Sequence, residues 1–343
     1  MMATVPKEVE EESYLLKSTF FFRKLNDLNY VGIDGRVKAA ASKLKNELNW
    51  DDRSLYGVSD EAWTIVNDIE ISPCQVFVHP TFIRTYPSLI KYYRCLAMIP
   101  QKGLMKLAGI GSLRDVEENE KDIPENKIPL IVSTLNQFIS SVLAINGWYE
   151  DECMKAMVYS TAGTTIDGSW RNKIGEEGER VVKEILVNSL LKNGEVAFFI
   201  MKNDDKIEFN EFEKLGKIDE LRSIFLKNSY SIVFRAEPDG TILSPTGEVT
   251  GGIEVKAGID PAAALERLGA MFKSFNNIKQ SYPDAQTVLV ASCLTNEVEA
   301  RIRESQTVNY TFLLTDITLS KRSAEAKFVN KIREMCGLIH KQM

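Results

Sequence analysis

The fold turns on Glu237-Pro238-Asp239-Gly240-Thr241-Ile242-Leu243-Ser244-Pro245-Thr246-Gly247-Glu248-Val249-Thr250-Gly251-Gly252-Ile253-Glu254-Val255-Lys256. Ser244 to Gly247 carries proline and glycine at favoured type I turn positions, between two runs rich in β-branched residues. Thr241–Leu243 and Val249–Val255 therefore read as the arms of a hairpin. Side chains alternate along a strand, so Ile253 and Val255 point to one face while Glu254 and Lys256 point to the other. Asp239 sits in a proline-fixed turn, and the hairpin would bring it beside Glu254. Gly251 and Gly252 leave room for a bulge or a close backbone approach.

Working outward, a helix is expected over about 175–191, with Val182, Ile185 and Leu186 on its buried side. Ala197–Met201 reads as a short buried strand. A polar segment of moderate helical character then leads to a strand at Ser231–Phe234. Downstream, Asp260 and Pro261 signal a helix start, followed by Leu265, Leu268, Phe272, Phe275 and Ile278 at spacings of three and four. Thr287–Ala291 is a buried strand of the kind found in mixed or parallel sheets. A helix from Thr295, a strand at Tyr310–Leu314 and a helix with Phe328, Ile332, Met335 and Ile339 complete the chain. The order α, β-meander, α, β, α, β, α predicts an α/β (α+β) fold, a mixed sheet flanked by helices.

Residues 1–165 read as mainly helical. Ser88 is a candidate cap for a helix with Leu89, Tyr92, Tyr93 and Leu96. Pro129 suits a first helical turn ahead of Ile131, Leu135, Phe138 and Val142. The charged stretch 115–127 reads as a solvated loop or helix edge. Thr, Gly and Ser cluster over 161–169, which reads as a linker between a region 1–165 and a second region 166–343.

The 343 residues, 44% hydrophobic and 26% charged, describe an ordinary soluble globular protein. No apolar run approaches the roughly 20 residues of a membrane span, and the acidic start, Met1 to Glu12, is unlike a secretory signal. A cytoplasmic protein is expected. The five cysteines lie far apart without a CxxC pair, which argues against a disulfide framework or zinc ribbon. Two histidines, His79 and His340, leave little for histidine chemistry, and His79 before Pro80 reads as a capped or buried residue. The net charge of −6 does not advertise a nucleic-acid binder, although phosphate contacts depend on where Lys and Arg sit.

Two carboxylates converging on a strand pair make a hard-oxygen site suited to Mg2+, which can polarise a phosphodiester and acidify water. Lys256 beside them can hold that water and offset phosphorane charge. Pro238-Asp239 followed by Glu254-Val255-Lys256 resembles the PD-(D/E)xK nuclease superfamily, and within it the type II restriction endonucleases. The likeness covers roughly residues 165–320, where the expected α-β-β-β-α-β order agrees with that family's core.

The resemblance implies Asp239, Glu254 and the Val255 carbonyl as metal ligands, with Lys256 positioning the nucleophilic water. It also implies a further acidic residue from the preceding helix. Glu176 and Glu179 are the candidates, with Glu179 preferred because it lies one helical step from Val182. Residues 166–343 would form the nuclease core, and 1–165 would serve DNA recognition or dimerisation. The expected activity is Mg2+-dependent, site-specific hydrolysis of double-stranded DNA to 5′-phosphate and 3′-hydroxyl ends by a homodimer. A cognate DNA methyltransferase is implied in the same system, though not as a physical partner.

Three alternatives stand beside this reading. Glu254 and Lys256 could be an ordinary solvent-facing ion pair. The chain could be a repair or recombination nuclease that reads DNA structure, or a non-catalytic DNA-binding protein with a degenerate nuclease fold. In the first half, Tyr93, Arg94, Gln101 and Lys102 mix residue types that clamp phosphates or read base edges; packed tyrosines and solvated lysines are the plain alternative. Arg171 and Lys173 are further candidates for the DNA backbone.

Overall fold

The computed structural model describes residues 7–146, 151–211, 218–235, 237–260, 264–319 and 322–339. Pro261 and His340 lie outside them, as does the start of the acidic N-terminus, 1–6. The chain divides into two compact units, Leu15–Trp170 and Arg171–Met343 with Met1–Tyr14.

The unit Leu15–Trp170 is helical. Its elements are the part of α1 (Lys7–Asp27) from Leu15 onward, α2 (Ile33–Lys43), α3 (Asp60–Asp68), α4 (Pro80–Thr85), α5 (Ile90–Leu96), α6 (Gln101–Ala108), α7 (Leu113–Asn119), α8 (Ile128–Asn146) and the first part of α9 (Asp151–Lys192). Local capping explains several starts. Ser59 and Ser112 accept the N–H groups of Ala62 and Asp115. His79, buried as expected, caps α4 by accepting the Thr81 N–H on Nδ1, with Pro80 opening the helix. Burial lowers its pKa. Ser88 is not a cap, because Pro87–Leu89 forms a 3-10 turn that runs into α5 at Ile90.

Helix α8 begins at Ile128 with Pro129 in its first turn. Its buried stripe is Ile128, Ile131, Val132, Leu135, Ile139 and Leu143, while Phe138 is exposed. The true stripe is thus rotated from the expected one, to admit Asn136. That buried amide accepts the Val78 N–H and donates to the Val78 and Tyr56 carbonyls. Contrary to the expectation that no apolar run is long enough, Glu125–Ile145 is long and apolar enough to cross a membrane; half of its most apolar stretch is buried within the protein.

The expected linker 161–169 is helical, inside α9. Thr164 and Thr165 return their hydroxyls to the Thr161 carbonyl, and Ser169 to that of Thr165. Hydroxyls that bond the preceding turn let such a polar run remain helical.

In the other unit the described residues form one eight-stranded sheet in the order β2-β1-β3-β4-β5-β6-β7-β8. The strands are β1 (Val196–Met201), β2 (Lys206–Glu208), β3 (Leu221–Leu226), β4 (Ser231–Phe234), β5 (Gly240–Leu243), β6 (Val249–Lys256), β7 (Gln286–Ala291) and β8 (Tyr310–Leu313). Pairing is antiparallel from β2 through β6 and parallel for β6–β7 and β7–β8. The fold is α+β, a mixed sheet flanked by helices beside a mainly helical N-terminal region. Helices α10 (Ala264–Ser281), α11 (Asn296–Ser305), α12 (Leu314–Thr318) and α13 (Arg322–Met335) fall between and after the last strands.

Strands β2 and β3 were not foreseen. β3 pairs between β1 and β4, yet its burial does not alternate cleanly, because the β1–β3 register shifts twice. A bulged strand loses the period of two by which strands are recognised.

Each face of the sheet has its own core. One joins Val182 and Leu186 of α9 with Ile224, Ile242, Ile253, Val255 and the α13 residues Phe328 and Ile332. The other joins Leu268, Met271, Phe275 and Ile278 of α10 with Leu289, Ala291 and Val298. Two backbone approaches depend on glycine. A Cβ on Gly252 would meet Ile278 of α10 at 2.5 Å, and one on Gly178 of α9 would collide with the Ala257 Cβ.

The helical unit also holds a buried ion pair. The Arg94 side chain is fully buried; its Nε donates to Glu117 Oε1 at 2.6 Å and its Nη2 to Oε2 at 3.0 Å. The guanidinium further donates to the Ile99 carbonyl and the Tyr30 hydroxyl, and Gln101 donates to Glu117. Removing one partner of such a pair strands a buried charge. Glu117→Ala is therefore expected to cost about 3–5 kcal/mol, whereas Arg94→Met with Glu117→Leu should cost far less. Urea denaturation of the two variants tests the contrast, and equal losses would contradict it.

Candidate active site

The β5–β6 pairing sets Gly240 against Ile253 and Thr241 against Gly252. Asp239 directly precedes β5 and lies near enough to Glu254 for the glutamate charge to raise its pKa. Both are buried, at 8% and 3% exposure. Asp239 Oδ2 accepts the Val255 N–H at 2.7 Å, which ties the turn to β6. Lys256 Nζ donates to Glu254 Oε1 at 2.6 Å and to the Val255 carbonyl at 3.3 Å. Glu254 Oε2 is buried without a hydrogen-bond partner. The glutamate side chain of this ion pair is only 4% exposed, so the pair is not the solvent-facing kind.

Burial pushes the Asp239 carboxyl up to about 7, and the neighbouring Glu254 charge adds to the rise; Lys256 and the Val255 N–H oppose it. Two desolvated carboxylates thus share the Lys256 ammonium. A divalent cation would relieve their repulsion and engage the unpartnered Glu254 oxygen. Among the described residues no three His, Cys, Asp or Glu side chains gather closely enough to hold a metal. The protein donors that could do so are Asp239, Glu254 and the Val255 carbonyl. Such a short set suits an ion that keeps several of its waters, as Mg2+ does.

Helix α9 supplies the next layer. Gly178 brings its backbone against Ala257, just past the end of β6, and so carries Glu179 toward the site. Glu179 is half-buried and lines a small cavity with Lys183, Phe234 and Asp239. Burial raises its pKa, while the charges of Lys183 and Lys256 lower it. Glu176 is exposed. The closer approach of Glu179 follows from its position directly after the glycine.

Residues 58–339 match the family model of the XcyI restriction endonuclease. The chain belongs to that family. The match spans Glu179, Asp239, Glu254 and Lys256 together with most of the helical unit. No curated protein matches the chain.

Within this restriction endonuclease family member, the residues expected to touch nucleic acid divide sharply. Tyr93 and Arg94 are fully buried; Tyr93 donates to the Cys74 carbonyl at 2.6 Å and Arg94 serves the Glu117 pair. Gln101 belongs to the same framework. The hydroxyl of Tyr93 and the guanidinium of Arg94 are thus engaged inside the core, while Gln101 is half-buried with its amide N–H on Glu117. Lys102, Arg171 and Lys173 are exposed.

Gly178 and Lys183 were missed. The signal for Lys183 was its spacing: four residues after Glu179, it projects from the same helix face. Gly178 carried no signal of its own in the sequence; its contact with Ala257 explains it.

Two expectations follow. Gly178→Ala forces its Cβ into Ala257, an overpacking cost of about 1–3 kcal/mol that exceeds the gain in helix propensity. It should lower the melting temperature, and an unchanged or higher value would contradict the close approach. Asp239 ionises near 4 in the unfolded chain and near 7 in the fold, so between these pH values only the folded state holds the proton. On account of this group, stability falls as pH rises through that window. Asp239→Asn should therefore raise the melting temperature of metal-free protein more at pH 8 than at pH 5. An equal effect at both would show that Asp239 is not strained by its charge.

Proposed function

We propose that this restriction endonuclease family member is a Mg2+-dependent type II enzyme. It would cut both strands of double-stranded DNA at a specific sequence, leaving 5′-phosphate and 3′-hydroxyl ends. The observation that carries the reading is the buried Asp239–Glu254 carboxylate pair with its unpartnered Glu254 oxygen and adjacent Lys256.

Asp239, Glu254 and the Val255 carbonyl would hold the ion. When bound, it would supply Lewis-acid polarisation of the scissile phosphate and a more acidic water. The residues of the chain do the rest. Lys256 Nζ, anchored on Glu254 and the Val255 carbonyl, can turn a donor to the attacking water and offset charge on the pentavalent phosphorus. The Val255 N–H fixes Asp239 in one orientation, which limits reorganisation during the reaction. Glu179 is the candidate for the additional acidic group. Lys102, Arg171 and Lys173 are exposed cations suited to the DNA backbone. A symmetric cut through both strands is most simply made by a two-fold homodimer.

Purified protein incubated with plasmid and Mg2+ should give discrete fragments with ligatable 5′-phosphates. Glu254→Gln and Lys256→Ala should each lower the cleavage rate by at least about 100-fold, the scale of losing one electrostatic group at a preorganised site. A smear, or cleavage undiminished in these variants, would remove the type II assignment or the assigned residues respectively.

A further inference from the structure

Lys183 is a half-buried cation that the proposed chemistry leaves without a task. It projects from α9 one turn beyond Glu179 and lines the same cavity as Glu179, Asp239 and Phe234. Its Nζ stands 5.0 Å from the centre of the Phe234 ring. That contact holds a long side chain in place, since a cation is drawn to the face of an aromatic ring. Lys183 makes no ion pair or hydrogen bond with a described residue, although Glu179, Asp239 and Asp219 are near enough to raise its pKa. Burial outweighs them, and the net shift is downward.

A partly desolvated ammonium is costly unless a counter-charge reaches it. Its nearest carboxylates, Glu179 and Asp239, line the same cavity but neither forms an ion pair with it. If Asp239 holds a divalent cation, its charge is unavailable to Lys183. The missing partner is then an anion arriving from outside.

We infer that Lys183 is a phosphate-contacting residue, its ammonium donating to a non-bridging oxygen of the DNA backbone at the cleavage site. This deepens the nuclease reading and rests on it. A contact of this kind neutralises one backbone charge and releases the counterion that accompanied it. It also strengthens as charge builds on the phosphoryl oxygens during attack. Methionine keeps the apolar stem over Phe234 without the charge, and arginine keeps the charge.

The test compares wild type, Lys183→Met and Lys183→Arg by two readouts. The first is affinity for a duplex that wild type cleaves, measured in EDTA across a salt series. Lys183→Met should reduce the slope of log K against log salt by about one. The second is kcat/KM with Mg2+, expected to fall roughly 10- to 100-fold in Lys183→Met, the range of a lost charged hydrogen bond, and to recover in large part in Lys183→Arg. An unchanged slope with reduced cleavage would overturn the inference, since Lys183 would then act through Glu179 or Asp239 instead. Unchanged values of both would overturn it as well. Absence of cleavage by wild type on every duplex tried defeats the nuclease reading itself. The slope, then read on non-specific duplex, still reports whether Lys183 meets phosphate.

Discussion

The site depends on the register between β5 and β6. With Gly240 opposite Ile253, Asp239 just before β5 is carried to the end of β6, where its Oδ2 accepts the Val255 N–H and the Glu254 charge acts on it. The register is enforced from both sides of the sheet. Ile242, Ile253 and Val255 belong to the core under α9 and α13, so a slip of one residue would turn them out and bring Glu254 and Lys256 into that core. On the opposite face α10 packs against Leu289 and Ala291, which lie beside Glu254 and Lys256 in the parallel ladder. Gly252 admits Ile278 close to the strand. Two apolar cores hold two like charges together against their repulsion.

That arrangement carries a stability cost. Buried polar groups of the helical unit such as Asn136 and Arg94 are bonded, to Val78 and Tyr56 and to Glu117, Ile99 and Tyr30. Glu254 Oε2 is not, and unlike the other unpartnered buried atoms among the described residues, Arg53 Nε, Ser274 Oγ and Gln286 Oε1, it belongs to a carboxylate, whose other oxygen is tightly bonded. An unsatisfied buried acceptor costs about 1–3 kcal/mol, more when charged. Folds keep such atoms where a ligand completes them, and the raised pKa of the adjacent Asp239 tells of the same deficit of positive charge.

How much of this could be read beforehand differs from element to element. The strand pair and its alternation were legible because Ile253 and Val255 flank the acid, and because the Ser244–Gly247 turn fixes the hairpin. Helix α10 was legible through its apolar stripe, although Met271, fully buried, was not among the residues named. β3 was hidden because its bulged pairing to β1 destroys the alternation. The helical course of 161–169 was hidden because Thr, Gly and Ser ordinarily mark breaks; only the hydroxyl bonds to preceding carbonyls reveal why they do not. The burial of Tyr93 and Arg94 was hidden for a different reason. A one-dimensional pattern does not distinguish an arginine aimed at phosphate from one aimed at Glu117, since Glu117 lies in a charged run that itself looked solvated. Partner identity at long sequence separation is a tertiary fact.

The inward turn of Arg94 bears on how a polyanion could be held. The chain carries a net charge of −6, and a basic residue once counted toward the binding surface is neutralised inside the core. A general positive field is therefore not available to collect DNA from a distance. Under the proposed function, attraction must come from a few local cations and from the ion between Asp239 and Glu254. Acidic surroundings would repel the backbone wherever those cations are out of reach. Such a surface disfavours non-specific association, where phosphate contacts supply nearly all of the affinity, more than a docked complex in which base contacts add their share. The same few lysines would then act at two levels: holding the duplex, and deciding where along it holding is possible.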